Sequence, residues 1–201
     1  MSFDERADTW DSSERRQRLA DAVAKAILNE FELQKRFELL DVGAGTGLLS
    51  RRLLPFVSSI TGVDTSEGML EKFAALGPKA EGVLCDILSY ETERKFDGII
   101  SSMTMHHIED TQALFHKLRS LLKPGGFIAL ADLTPEDGSF HDHGNSGVYH
   151  FGFDEDSLRN YALEAGFTKI KIDTVYILEK NGGKRYPLFL LCAKRSGTAI
   201  E

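Results

Sequence analysis

Between residues 37 and 133, short apolar runs alternate with amphipathic ones, and glycine or proline marks most of the switches. Residues 37–42 are apolar, few and ended by Gly43, which predicts a buried strand. Residues 46–54 predict a helix stopped near Pro55. A second strand follows over 58–63, and a second helix over 66–76 closed by Gly77-Pro78. Residues 80–85 and 96–101 give a third and a fourth strand. A helix over 110–122 ends at Lys123-Pro124-Gly125-Gly126, a turn expected to start a fifth strand over 127–133.

The flanks follow other periods. Over 12–30, Leu19, Val23, Ala26 and Ile27 recur at helical spacing, with Asp11, Ser12 or Ser13 available as N-cap. A further helix is expected over 157–165, with Gly166 as its C′ residue. The β-rich runs 168–178 and 185–193, separated by Asn181-Gly182-Gly183, predict an antiparallel hairpin. Strands alternating with helices predict an α/β fold with a mostly parallel sheet covered on both faces; the hairpin adds one reversed strand near its end. Residues 134–153, rich in Gly, Asp, His and Ser, fit neither period. They follow the carboxyl end of a strand, the edge that carries ligands in open α/β sheets, and are expected to be a substrate-facing loop.

Composition narrows the class. A chain of 201 residues supports one well-buried domain, and 42% apolar with 27% charged residues is the balance of a soluble globular protein. A net charge of −7 disfavours nucleic acid as partner; Arg15, Arg16 and Arg18 are expected to be a solvated helix face. Cys85 and Cys192 lack both the spacing of a zinc site and the density of a disulfide scaffold, which fits a reducing compartment. Residues 1–18 carry no secretory pattern, and no apolar run approaches the ~20 residues of a membrane span. A cytoplasmic protein without membrane contact is the expectation.

The strongest chemical signal runs from Leu39 to Ser50, where a strand enters Asp41-Val42-Gly43-Ala44-Gly45-Thr46-Gly47 and a helix begins. Glycine lets such a turn take positive φ and approach a ligand, and the helix start offers free N–H groups. Dinucleotide enzymes use a related turn, but their third glycine would fall at position 48, which is Leu. Asp41, just before the turn, would repel a pyrophosphate and suits a ligand with a charged amino group. Asp64, about 20 residues beyond the glycines, stands where a carboxylate accepts ribose hydroxyls; its plainer role is an N-cap, for which Ser66 competes. Asp86, in Cys85-Asp86-Ile87, could accept an adenine amino group, although an acid there more often serves a turn.

Taken together, Leu39 to Ser50, Gly62-Val63-Asp64 with Ser66 and Met69, Cys85-Asp86-Ile87, residues 96–102 and Leu121-Leu122-Lys123-Pro124-Gly125-Gly126 strongly resemble the class I S-adenosylmethionine-dependent methyltransferases. The match in order and spacing covers roughly 37–133. The resemblance implies a Rossmann-like three-layer sandwich with a seven-stranded sheet and methyl transfer from S-adenosylmethionine to a small-molecule acceptor. It also implies one domain over 1–201, with a helical lid at 1–30, a cofactor-binding core at 37–133, an acceptor loop at 134–153 and a C-terminal helix and hairpin at 154–195. Asp41, Gly43, Ala44 and Gly45 would then surround the methionine moiety. Asp64 would hold the ribose, Thr65 and Met69 would lie beside the adenine, Asp86 and Ile87 would flank it, and Ser101, Ser102 and Met103 would present backbone to the amino-acid end. Phe3 to Asp11 looks like the lid of small-molecule members, with Trp10 closing over the cofactor.

Methyl transfer needs in-line approach and exclusion of water, and placement of the two reactants alone lowers the barrier by roughly 7–11 kcal/mol in favourable cases. His106 and His107, after the fourth strand, are candidates for a base acting on an acceptor O–H; a packing role is the competing reading. His141, Asp142, His143 and His150 show no ligand-pair spacing, so no metal is expected, and they are taken as polar or acceptor-contacting loop residues. Tyr149, Phe151 and Phe153 suit either an acceptor pocket or the core. Two other classes stay in view: an NAD-type oxidoreductase, against which Leu48 counts, and a non-catalytic S-adenosylmethionine-binding protein. The acceptor atom, O, N, S or C, is left open because fold does not fix it.

Overall fold

Alternate residues of the central strands face opposite layers, and that period of two divides the interior into two cores. The computed structural model describes residues 3–142, 144–180 and 182–197. The helices are α1 (Phe3–Trp10), α2 (Glu14–Glu30), α3 (Leu48–Leu53), α4 (Glu67–Ala74), α5 (Thr111–Leu121) and α6 (Glu155–Glu164). The strands are β1 (Glu38–Val42), β2 (Ser59–Asp64), β3 (Ala80–Leu84), β4 (Phe96–Ser102), β5 (Leu122–Leu133), β6 (Phe167–Glu179) and β7 (Arg185–Arg195), in the order β3-β2-β1-β4-β5-β7-β6. Strand β7 runs antiparallel to both neighbours, and the other paired strands are parallel. The expected α/β class and its single reversed strand are therefore present.

One core joins Leu39, Ile60, Ile100, Ala129 and Leu190 to α2, α3 and α4 through Val23, Leu53 and Phe73. The other joins Leu40, Val63, Ile99, Ile128 and Leu191 to α5 and α6 through Phe115, Leu118 and Leu158. Each fully buried Leu, Ile or Phe contributes about 1.5–3 kcal/mol of transfer free energy, so strand register is fixed strongly: a slip by one residue would exchange the two sets.

Polar residues settle the helix ends. Ser13, Ser66, Asp110 and Asp154 accept hydrogen bonds from the N–H groups of Arg16, Met69, Ala113 and Ser157, caps worth about 1 kcal/mol each. Of the three candidates for α2, Ser13 is the cap.

Some expected boundaries move for identifiable reasons. Lys123-Pro124-Gly125-Gly126 is not a turn before β5 but lies inside it. Pairing jumps from Phe96↔Leu122 to Gly98↔Phe127, and Gly125 at φ 77° helps take up the bulge. The helix expected over 46–54 begins only at Leu48, because Thr46 and Gly47 belong to the glycine turn. The last helix starts at Glu155, two residues early, because Asp154 caps it. Across the β6–β7 connection Lys180 N–H donates to the Lys184 carbonyl at 2.9 Å; Asn181 lies outside the described residues. Described residues of 134–153 form no helix or strand. No described helix is long and apolar enough to cross a membrane.

The parallel order reverses direction on either side of β1. The crevice above the carboxyl ends of β1 and β4 is thus a topological switch point, where open α/β sheets place ligands.

Candidate functional site

The glycine turn is built against the segment that follows β4. Gly43, at φ 65°, sends its N–H to the Val63 carbonyl at 2.8 Å. A Cβ placed on it would stand 2.1 Å from Thr104 Oγ1, so only glycine fits there. Gly45, at φ 53°, has no heavy atom of the described residues beyond its chain neighbours within 4 Å of where a Cβ would project, so the turn presents bare backbone to open space. Met103, directly after β4, takes φ 62°, a left-handed conformation that costs a non-glycine residue energy and is concentrated at functional sites.

Three acids sit at neighbouring strand ends. Asp41 is only 2% exposed. Its Oδ2 accepts a hydrogen bond from Ser50 Oγ at 2.6 Å. Burial pushes its carboxyl up to about 7; the Ser50 bond opposes the rise, and the charge of Asp64 adds to it. Asp64 accepts from Gly45 N at 2.8 Å and from Ser66 N at 2.9 Å, which ties the turn to the end of β2. It is not the cap of α4; Ser66 is. A carboxylate has about four acceptor sites, so two such bonds leave capacity for ligand hydroxyls. Exposed Asp86 accepts from Leu88 N at 2.8 Å, the turn role weighed for it, while Ile87 beside it is buried.

The remaining candidates scatter in environment. Ala44 is buried and Thr65 exposed. Met69 is 1% exposed in the first turn of α4, against which α1 packs. Ser101 spends its hydroxyl on the Val42 carbonyl at 2.7 Å, bracing β4 on β1. The buried Ser102 Oγ, one residue on, has no hydrogen-bond partner among the described residues.

Helix α1 is latched over this cleft by its acids. Asp4 Oδ1 accepts from Ser66 Oγ at 2.6 Å and from Gly68 N at 2.9 Å, and Asp8 pairs with Lys72 at 2.5 Å. Asp11 accepts from Thr46 Oγ1 at 2.5 Å and pairs with Arg51 at 3.0 Å, so it reaches the glycine turn itself. Trp10 lies beneath the Arg16 guanidinium at 3.8 Å and packs edge-on against Phe3.

Beyond Thr104 in the chain, His106 and His107 come together with His141 as a group of three imidazoles. His106, 1% exposed, places Nδ1 2.7 Å from Asp132 Oδ1, and its backbone N–H donates to Oδ2 at 3.2 Å. Asp132 lies at the end of β5 and is itself fully buried. His107 Nδ1 is 2.7 Å from the Gly147 carbonyl. Carboxylate and carbonyl oxygens only accept, so both Nδ1 atoms carry the proton and both Nε2 atoms are bare when the rings are neutral. His141 joins them from the 134–153 loop, with ring centroids 5.1 Å from His106 and 5.6 Å from His107. Burial, then His106, then His107 push His141 down to about 4, and burial followed by His106 also lowers His107.

His150 is not part of this group. Its Nε2 lies 3.0 Å from the Ile108 carbonyl and 3.1 Å from that of Glu109, pinning the loop, and its ring packs at a tilt against buried Phe153. Asp142 pairs with Lys180 at 3.0 Å. His143 lies outside the described residues. Tyr149 and Phe151 are exposed, and Phe153 belongs to the core.

Sequence reading passed over Asp132 and Thr104, and within the expected lid it assigned no contact to Asp4, Asp8 or Asp11, the last an N-cap candidate. Asp132 did leave a signal, an acid inside an otherwise apolar strand run. The lid's individual contacts left none, since their partners lie 35 to 64 residues away along the chain.

The methyltransferase-domain family matches residues 12–172. The chain is similar to an uncharacterized methyltransferase of Schizosaccharomyces pombe, 31% identical over 165 residues, which are 72% of this chain and 58% of that protein. An uncharacterized methyltransferase of Bacillus cereus is 31% identical over 193 residues, 90% of this chain and 87% of the other. The chain spans about half the length of several curated relatives that it matches. Among solved structures, phosphoethanolamine N-methyltransferase 2 of Haemonchus contortus, in complex with S-adenosyl-L-methionine, superposes with a TM-score of 0.71 at 18% identity. That superposition covers 98% of this chain and 60% of the other, and it is a likeness of fold.

Proposed function

The chain belongs to the class I methyltransferases, and from that premise we propose that it binds S-adenosylmethionine above β1 and β2 and methylates a small molecule. The acceptor lies between α1, residues 103–108 and the 134–153 loop. The observation that carries this reading is Asp41. A buried carboxyl held at about 7 is ionised at a cost, and a ligand ammonium beside it would recover that cost, whereas a pyrophosphate would add to it. Gly45 with open space before it and Ser102 Oγ, which has no partner among the described residues, fit the same occupant, as a backbone cradle and a hydrogen-bonding group in reach of the amino-acid end.

Bound S-adenosylmethionine supplies an electrophilic methyl group on a sulfonium. This chain's residues supply placement. Asp64 holds the ribose hydroxyls with its spare acceptor capacity, and Ile87 walls the base. Met103 and Thr104 shape the backbone between cofactor and acceptor, and latched α1 excludes water. Proximity of this kind accounts for roughly 7–11 kcal/mol of barrier lowering in favourable cases. On the acceptor side, His107 presents a bare Nε2 that takes a proton from an acceptor O–H, and His106, held by Asp132, buttresses it at 4.1 Å between ring centroids.

Asp64→Ala tests the cofactor half. Removing two charge-assisted acceptors should weaken S-adenosylhomocysteine binding by roughly 10- to 100-fold in calorimetric titration. Unchanged affinity would take Asp64 out of the site.

A further inference from the structure

We infer that His106, His107 and His141 form a binding site for one divalent d-block cation of the zinc class, open towards the acceptor pocket. One nitrogen from each ring lies within 4.8 Å of those of the other two. At zinc–nitrogen bonds of about 2.0–2.1 Å, tetrahedral ligand atoms stand about 3.3 Å apart, so the rings need close by no more than about 1.5 Å. His106 and His107 are fixed on the 3₁₀ turn Met105–His107. His141 rides on a loop whose described residues form no helix or strand, and it supplies the movement.

The outer hydrogen bonds are those of metal ligands. Such histidines almost always donate the second ring N–H to a carboxylate or a backbone carbonyl, which fixes the tautomer and aims the bare nitrogen at the ion. His106 does so to Asp132 and His107 to Gly147, both at 2.7 Å. His141 brings a buried Nδ1 that has no partner among the described residues, a desolvation cost that coordination would remove. Phe3 against His107 and Phe140 against His141 give the site apolar walls. Nearby Lys180 is held by Asp142.

A donor set of three imidazoles selects zinc, iron, cobalt or nickel over magnesium and calcium, which take oxygen ligands. Three protein ligands leave a coordination position for an acceptor oxygen or nitrogen. The ion would orient that atom and ease its deprotonation, a task otherwise left to His107. Metal binding is independent of the cofactor reading, and it is measured with neither cofactor nor acceptor present.

The test is calorimetric titration of the chelator-stripped full chain with zinc chloride and with magnesium chloride. Expected are one saturable zinc site per chain and no magnesium binding. His141→Ala, a loop variant that spares the core, should weaken zinc binding roughly tenfold or more, as should the isosteric Asp132→Asn acting through His106. His116→Ala, on the exposed face of α5, and Cys85→Ser should leave it unchanged. Thermal melting of each variant without metal separates a lost ligand from a lost fold. Absence of stoichiometric zinc binding would overturn the inference. So would equal affinity in His141→Ala and the unsubstituted chain, or a loss confined to Cys85→Ser.

Discussion

Asp41→Asn should make the protein more stable and a poorer binder at once, and the stability gain should depend on pH. The amide keeps an oxygen to accept the Ser50 hydroxyl and removes the titration. In the native protein, burial raises the carboxyl from 3.8 to about 7, so between those values the folded state holds a proton that the unfolded chain has released. Stability from this group is therefore fully present below pH 3.8 and is lost as pH rises through 7. The loss amounts to about 4 kcal/mol when complete, an order-of-magnitude figure at 1.36 kcal/mol per pKa unit. Other carboxylates contribute their own pH dependence, and comparing the two proteins at each pH cancels it. Urea unfolding at pH 5 and pH 8 should show the variant's advantage growing by roughly 3 kcal/mol between them. Affinity for S-adenosylhomocysteine should meanwhile fall roughly 10- to 100-fold, since a charge-assisted bond to the ligand ammonium is lost. A gap that stays constant with pH would refute the reasoning, because Asp41 would then be comfortably ionised in the fold and no strained receptor for a cation.

Gly43→Ala should destabilise the protein by about 2 kcal/mol or more, since alanine must take φ 65° and displace Thr104; thermal melting checks it, and an unchanged melting temperature would mean the turn is looser than described. His107→Ala should leave S-adenosylhomocysteine affinity nearly intact while turnover with any accepted substrate falls by roughly 10²- to 10⁴-fold; a parallel loss of cofactor affinity would place His107 in the cofactor pocket instead.

The parallel sheet was legible because its signals are local. The apolar run ended by Gly43 and the helix closed by Gly77-Pro78 are set without reference to distant residues, and Asp41 and Asp64 follow from their place at strand ends. Lys123-Pro124-Gly125-Gly126 misled because proline and glycine also serve a bulge, and only pairing with β4 decides between the two. The acceptor side was less legible still. His141 meets His106 only because the 134–153 loop folds back, held where Tyr149 N–H donates to the His106 carbonyl at 3.0 Å. Asp132 becomes the partner of His106 only through the adjacency of β4 and β5. Spacing along the chain carries no trace of either contact.

The most direct measurement is isothermal titration of the purified protein with S-adenosylmethionine, S-adenosylhomocysteine and NADH in parallel. Saturable one-to-one binding of the first two, without binding of NADH, is the expected result. Binding of NADH alone, or of none of the three, would contradict the assignment of the glycine turn, Asp41 and Asp64 to an S-adenosylmethionine site.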